Sequence, residues 1–242
     1  MSRIHYSWYF VREYLFPQNC GICGNMLLNP EEAWYGLCEE CRAGLSIEIN
    51  ERCDLCGRPL VSENGRCLPC RQNAEAEPPF CNRMVALFPY SGEYQKLLRA
   101  FKFGKSLGVG HFLADCLIKA IKILPLKEMN NPVLIPVPPR PGKIRKTGWD
   151  QIVTLSRLLK QIPGSLEIRP CLERRASQTL KKLDRKERRT NLKGRIIAKR
   201  KIPQDCILFD DVITTGSTIN TCAAALKAAG AEKVFGVCLF YD

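Results

Sequence analysis

Residues 206–218 read Cys-Ile-Leu-Phe-Asp-Asp-Val-Ile-Thr-Thr-Gly-Ser-Thr, and each part of the run has a physical use. The apolar residues 206–209 predict a buried strand ending in two adjacent acids, and a small-residue helix is expected over 217–229, closed by Gly230. The turn between them presents backbone N–H groups at a helix N-terminus, where the helix dipole favours a phosphate. Thr214, Thr215, Ser217 and Thr218 add hydroxyl donors, and Gly216 removes the side chain that would block close backbone approach. Asp210 and Asp211 stand where strand becomes loop, positioned to accept hydrogen bonds from sugar hydroxyls. A phosphate cradle beside a diol acceptor describes a ribose 5-phosphate site.

Working outward, strands and helices alternate. Strands are expected over 84–88, 133–137 and 234–240, and helices over 93–101, 109–124 and 149–161, the last opening after Gly148. Alternation of this kind predicts an α/β fold, a parallel sheet covered by helices, whose ligands sit at the carboxyl ends of the strands. Upstream, residues 71–79 lack apolar periodicity and end in two prolines. They read as a linker with a boundary near Pro78, dividing the chain into a module over 1–78 and a sheet domain over 79–242.

The upstream module is written in cysteine. Eight of the 14 cysteines form four Cys-x-x-Cys pairs: Cys20/Cys23, Cys38/Cys41, Cys53/Cys56 and Cys67/Cys70. That is tetrathiolate zinc spacing, repeated, and it predicts two structural Zn²⁺ ions. Two cysteines three apart on a tight turn aim both sulfurs at one point, and a second such turn closes the tetrahedron. Gly24 and Gly57 follow the second cysteine of their turns, where a left-handed backbone is required. Sequential and interleaved zinc connectivity are both compatible with the spacing. Cys206, Cys222 and Cys238 sit among apolar residues and read as small core hydrophobes. Free thiols beside zinc thiolates imply a reducing compartment, hence a cytoplasmic location.

Composition narrows the class. The 242 residues are 45% hydrophobic and 25% charged, a globular balance that excludes global disorder, collagen and coiled coil. No stretch approaches the roughly 20 uncharged apolar residues of a membrane helix. The aromatic stretch up to Pro17 is interrupted by Arg3, Arg12 and Glu13 and lacks a small-residue cleavage site. It reads as a short amphipathic helix rather than a signal peptide. The net charge of +13 is concentrated: residues 139–201 hold 20 basic and 5 acidic side chains. Such a face attracts anions.

Residues 206–218 resemble the 5-phosphoribosyl-1-pyrophosphate (PRPP) loop of type I phosphoribosyltransferases. Together with the four Cys-x-x-Cys pairs and the Ile-Pro-Val-Pro-Pro tract at 135–139, the layout resembles the ComF-type competence family over essentially the full chain. The resemblance implies a type I phosphoribosyltransferase fold behind a double zinc ribbon. It implies a glycosyltransferase-class reaction, with Mg²⁺ bridging pyrophosphate and ribose hydroxyls, and a role in the use of exogenous DNA. The acceptor is not identified. On this resemblance Asp210 and Asp211 are the catalytic pair that holds the ribose diol, and Val212 and Ile213 lead into the phosphate loop of Thr214, Thr215, Gly216, Ser217 and Thr218. Val137, Pro138, Arg140, Lys143 and Arg145 occupy the position of the pyrophosphate loop, which in type I enzymes often carries a cis peptide.

Departures from the family pattern cluster after Arg140. Lys143 and Lys146 stand beside Arg145, Trp149 replaces the usual aromatic, and Asp150 replaces an asparagine before Gln151. Lysine supplies charge without the bidentate fork of arginine. Residues 174–178 and 185–191 match the segment that forms a mobile catalytic hood in type I enzymes. A rival reading is a non-catalytic competence factor that binds single-stranded DNA through this basic segment and uses the PRPP site as a sensor. Arg185, Arg188 and Arg189 would be the phosphate contacts, and a competence helicase or other DNA-processing proteins the partners. A third reading, a zinc-stapled adaptor, leaves the paired acids without a use.

Overall fold

The computed structural model describes residues 18–47, 51–72, 81–175, 196–199 and 201–242. The amphipathic segment expected before Pro17, the boundary near Pro78, and Arg185, Arg188 and Arg189 lie outside them.

Two short ribbons come first. Each pairs a cysteine knuckle with a short helix: α1 (Pro30–Tyr35) and α2 (Glu39–Ala43) in the first, α3 (Leu68–Gln72) in the second. The expected linker therefore begins as the last turn of α3. Strand β1 (Arg83–Pro89), α4 (Gly92–Lys102), α5 (Leu107–Ile123) and β2 (Val133–Pro136) follow. Next come α6 (Lys143–Thr147), α7 (Gln151–Leu159), β3 (Leu172–Arg174), β4 (Ile196–Ala198), β5 (Asp205–Ile213), α8 (Ser217–Ala228) and β6 (Lys233–Tyr241).

Strands β1, β6, β5 and β2 form a parallel sheet in that order, as the alternation of elements predicts. Apolar side chains fill both faces. Ile207 and Phe209 of β5 meet Phe101, Leu113, Leu117 and Leu155 on the α4/α5/α7 side, while Cys206 and Leu208 meet Cys222 and Leu226 of α8 on the other. Period-two alternation along β5 thus sends neighbouring residues to opposite layers.

The ribbons share these two cores. Cys20, Ile22, Leu27 and Leu37 pack with Phe101, Val109 and Leu113, whereas Cys53, Cys56, Leu60 and Cys67 pack with Met84 and Ala86. The second knuckle closes the free edge of β1: Ala86 N donates to Gly57 O at 2.9 Å, and Arg52 Nη1 donates to Ala86 O at 2.6 Å. Gly57 is required there twice over. Its φ is +74°, and a Cβ would lie 2.5 Å from the Met84 carbonyl carbon. Covering an edge strand in this way blocks pairing with another chain.

Several elements differ from expectation, among them the short strands β3 and β4, which no apolar run predicts. β5 runs four residues beyond Phe209, because β6 continues to pair with it through Ile213 opposite Tyr241. Asp210 and Asp211 therefore lie within the strand and not at its exit. The basic stretch after Arg140 contains helix α6, bracketed by Gly142 and Gly148, both left-handed with φ near 73° and 65°.

Candidate functional site

The four Cys-x-x-Cys pairs assemble sequentially. Cys20, Cys23, Cys38 and Cys41 form one cluster and Cys53, Cys56, Cys67 and Cys70 the other, each with its sulfurs within 4.8 Å of one another. Both knuckles use the same geometry: Gly24 N donates to Cys20 O at 3.0 Å and Gly57 N to Cys53 O at 2.9 Å, with left-handed φ at both glycines. Cys23 and Cys38 Sγ are 3.7 Å apart, as are Cys56 and Cys67 Sγ. A tetrahedral Zn²⁺ with Zn–S of about 2.3 Å sets its sulfurs about 3.8 Å apart. The donor set and spacing thus fit two structural zinc ions with no open coordination position. A hydrogen bond from Cys56 brings the Cys53 thiol down to about 4. Burial opposes the Cys20 thiolate, yet backbone hydrogen bonds at Cys23, Cys38 and Ile22 outweigh it and bring that thiol down to about 7. Cys81, Cys116 and Cys206 are pushed up to about 12 by burial, which suits inert core thiols.

At the carboxyl end of β5, residues 212–219 and Asp210 line a shallow hollow. Gly216, with φ +70°, caps the N-terminus of α8, and a Cβ there would meet Ile213 Cδ1 at an ordinary 3.6 Å. Its necessity is conformational rather than steric. Thr215 Oγ1 and Ser217 Oγ lie 2.8 Å apart, Thr214 and Thr215 are exposed, and Thr218 is half-buried.

The two acids separate. Asp210 lies half-buried in the hollow, on the α8 side of the sheet. Burial first, and the adjacent Asp211 charge second, push its carboxyl well above the usual range, while the Arg174 charge pulls the other way. Asp211 turns to the opposite layer and is 7% exposed. Its Oδ2 accepts from Gln151 Nε2 at 2.7 Å and faces Lys102 Nζ at 3.6 Å, while Oδ1 accepts from Val212 N at 3.0 Å.

Beside the hollow, after the neighbouring strand β2, lies a cleft of about 480 Å³. Pro138, Pro139, Arg140, Gly142, Ile144 and Arg145 form one wall and Leu172, Glu173 and Arg174 the other. Arg140 and Arg145 are exposed. Val137 instead extends β2, its N–H donating to Phe209 O at 3.1 Å and its side chain buried. Every described peptide bond is trans, including those of the Pro-Val-Pro-Pro tract. Lys143 does not line the cleft. It bonds Asp150 Oδ2 at 2.7 Å and the Gln151 Oε1. Two of the four residues singled out after Arg140 therefore meet: Lys143 pairs with Asp150, whose Oδ1 also caps α7 through Ile152 N and Val153 N at 3.0 and 3.1 Å.

Lys102 and Gln151 had no role in the sequence reading, and Arg174 entered it only within the expected hood segment at 174–178. Arg174 lines the cleft, its charge reaches Asp210, and its Nε is buried with no hydrogen-bond partner among the described residues. Lys102 and Gln151 converge on Asp211. The sequence signal at Gln151 was its place beside a helix cap; nothing local marked Lys102.

The geometry defines an α/β protein with two tetracysteine ribbons and two openings at the carboxyl ends of adjacent parallel strands. Residues 11–71 match the double zinc ribbon domain model. The chain is 29% identical to Competence protein F of Haemophilus influenzae over 210 residues, covering 82% of this chain and 87% of that protein. It is 26% identical to Competence protein ComFC of Streptococcus pneumoniae, covering 82% and 84%, and 26% identical to the DNA utilization protein YhgH of Salmonella typhi, covering 84% and 96%. The chain is similar to these competence and DNA utilization proteins over most of its length.

Proposed function

We propose that this chain is a PRPP-binding, phosphoribosyltransferase-like protein that acts in the handling of exogenous DNA, with a zinc module over 1–78 and a type I phosphoribosyltransferase domain over 79–242. The reading is carried by one juxtaposition: a hydroxyl-rich phosphate hollow and an arginine-lined cleft open side by side after the adjacent parallel strands β5 and β2. PRPP carries a phosphate at one end of a ribose and a pyrophosphate near the other, and the two openings suit those two anions. The names of the relatives, competence and DNA utilization proteins, supply the biological setting, and reduced cysteines favour the cytoplasm.

In this reading residues 214–218 and the N-terminus of α8 bind the 5-phosphate. Asp210 accepts from the ribose hydroxyls, and Arg140, Arg145 and Arg174 neutralise the pyrophosphate. Asp211 acts from behind the hollow, held by Gln151 and Lys102 on the opposite layer. Displacement at the anomeric carbon develops positive charge on the sugar, so catalysis rests on positioning and charge stabilisation. Among the described residues Asp210 is the carboxylate in the hollow, a donor set that suits a Mg²⁺ held mainly by substrate oxygens and water. When bound, that ion would neutralise charge on the leaving pyrophosphate.

The test is calorimetric titration of PRPP with and without Mg²⁺, on the zinc-loaded full chain and on Gly216→Val. Mg²⁺-dependent binding that drops about tenfold or more in the variant is expected, because valine cannot adopt the left-handed backbone of the loop. Unchanged affinity in the variant, or no binding by the wild type, would overturn the reading.

A further inference from the structure

One side chain joins the two walls of the site. Gln151 opens α7 and is buried. Its Oε1 accepts from Lys143 Nζ, at the start of α6 in the segment that follows β2, and its Nε2 donates to Asp211 Oδ2, on β5, at 2.7 Å. Lys143 is held a second time by Asp150, and the same Asp211 Oδ2 is faced by Lys102 Nζ at 3.6 Å. Neither Lys143 nor Asp211 lines the cleft or the hollow. Both side chains point inward, toward the same amide.

A carboxamide is suited to this place because it offers an acceptor to a cation and a donor to a carboxylate at once. Leucine offers neither, and glutamate would set a second carboxylate against Asp211. We propose that Gln151 is a positioning residue that fixes the loop bearing Arg140 and Arg145 to the strand bearing Asp210, so that the cleft and the hollow keep the separation of the two anionic ends of one ligand. The inference rests on the PRPP reading for the identity of that ligand. It carries a specific consequence. A ligand that engages both openings depends on the clamp through preorganisation, whereas one that engages the hollow alone does not.

The experiment titrates Mg²⁺–PRPP and ribose 5-phosphate against the wild type, Gln151→Leu and Lys143→Met, with thermal scans to establish that each variant is folded. Both variants should lose about tenfold or more in PRPP affinity, the scale of a lost hydrogen bond to a charged group, and keep ribose 5-phosphate affinity within about twofold. Equal losses for the two ligands would overturn the clamp. Lys143→Met breaks the same link from the loop side, so a fold defect in one variant leaves the other informative. Amide hydrogen exchange over 142–148 reads the clamp without any ligand. Faster exchange in the variants supports it and unchanged exchange overturns it. A wild type that binds no PRPP, with faster exchange in the variants, would sink the functional reading and leave the clamp standing.

Discussion

Asp210, the carboxylate of the hollow, is held at a cost to the fold. Its carboxyl is pushed up by burial and by the charge of Asp211, so the folded chain holds the Asp210 proton more tightly than the unfolded chain does. The sign follows from linkage. The contribution to stability is complete below the unfolded carboxylate value of about 3.9 and is lost as pH rises through the higher folded value. Asp210→Asn removes that titration. The variant should melt higher than the wild type near neutral pH, by about 2–4 °C for each kcal/mol relieved, and should bind PRPP more weakly. Thermal scans at about pH 5 and about pH 8 check it. If the wild type and the variant lose the same melting temperature between the two, Asp210 is not the group that titrates.

Elements made from one continuous apolar run were readable, and elements made by distant partners were not. Strands β1 and β6 and helices α4, α5 and α8 fall where apolar spacing puts them, within one or two residues. Helix α6 has no apolar face and depends on left-handed glycines at both ends. Strands β3 and β4 are three residues each and find their partner only after a long excursion of the chain. Gln151 and Asp211 meet from 60 positions apart, so no local pattern could pair them. The cysteine array was the most legible part, because metal geometry restricts spacing more tightly than packing does. Elemental analysis should therefore find about two zinc ions per chain, and less than one in reduced protein would refute the ribbons. Since Cys20 packs in one cluster with Phe101, Val109 and Leu113, the metal is tied to the α4/α5 layer as well as to its own knuckle. Cys20→Ser should release one zinc and lower stability by about 2–4 kcal/mol in a single cooperative transition. Two separated transitions would mean that the ribbon melts alone.

At the scale of the molecule, the two ribbons pack into the cores on opposite faces of the sheet, and neither contains the basic segment of the sequence. Residues 139–201 carry the positive excess that outweighs the acidic N-terminal and C-terminal portions of the chain. Within the described part of that segment, Lys143 is consumed internally, and Arg140, Arg145 and Arg174 line the cleft. Arginines 185, 188 and 189, outside the described residues, are the further candidates for a polyanion. Trp149, the aromatic residue of this stretch, is packed edge-on against Phe101 with ring centres 5.5 Å apart, so it is not presented as a stacking platform for bases. Any single-stranded DNA binding should then be a backbone interaction, weak in sequence preference and steep in salt. If about four phosphates are neutralised, affinity should fall roughly 20–50-fold between about 50 and 200 mM salt. Reversing charge at Arg185, Arg188 and Arg189 touches neither the two cysteine clusters nor residues 214–218. It should weaken DNA binding and flatten the salt slope. Competition between PRPP and DNA for the wild type would place both on the arginine side of the cleft, since the hydroxyl-rich hollow is too small for a strand. Equal DNA affinity at the two salt concentrations, or full retention by the charge-reversed variant, would reduce the basic segment to solvated surface and leave the PRPP reading to stand alone.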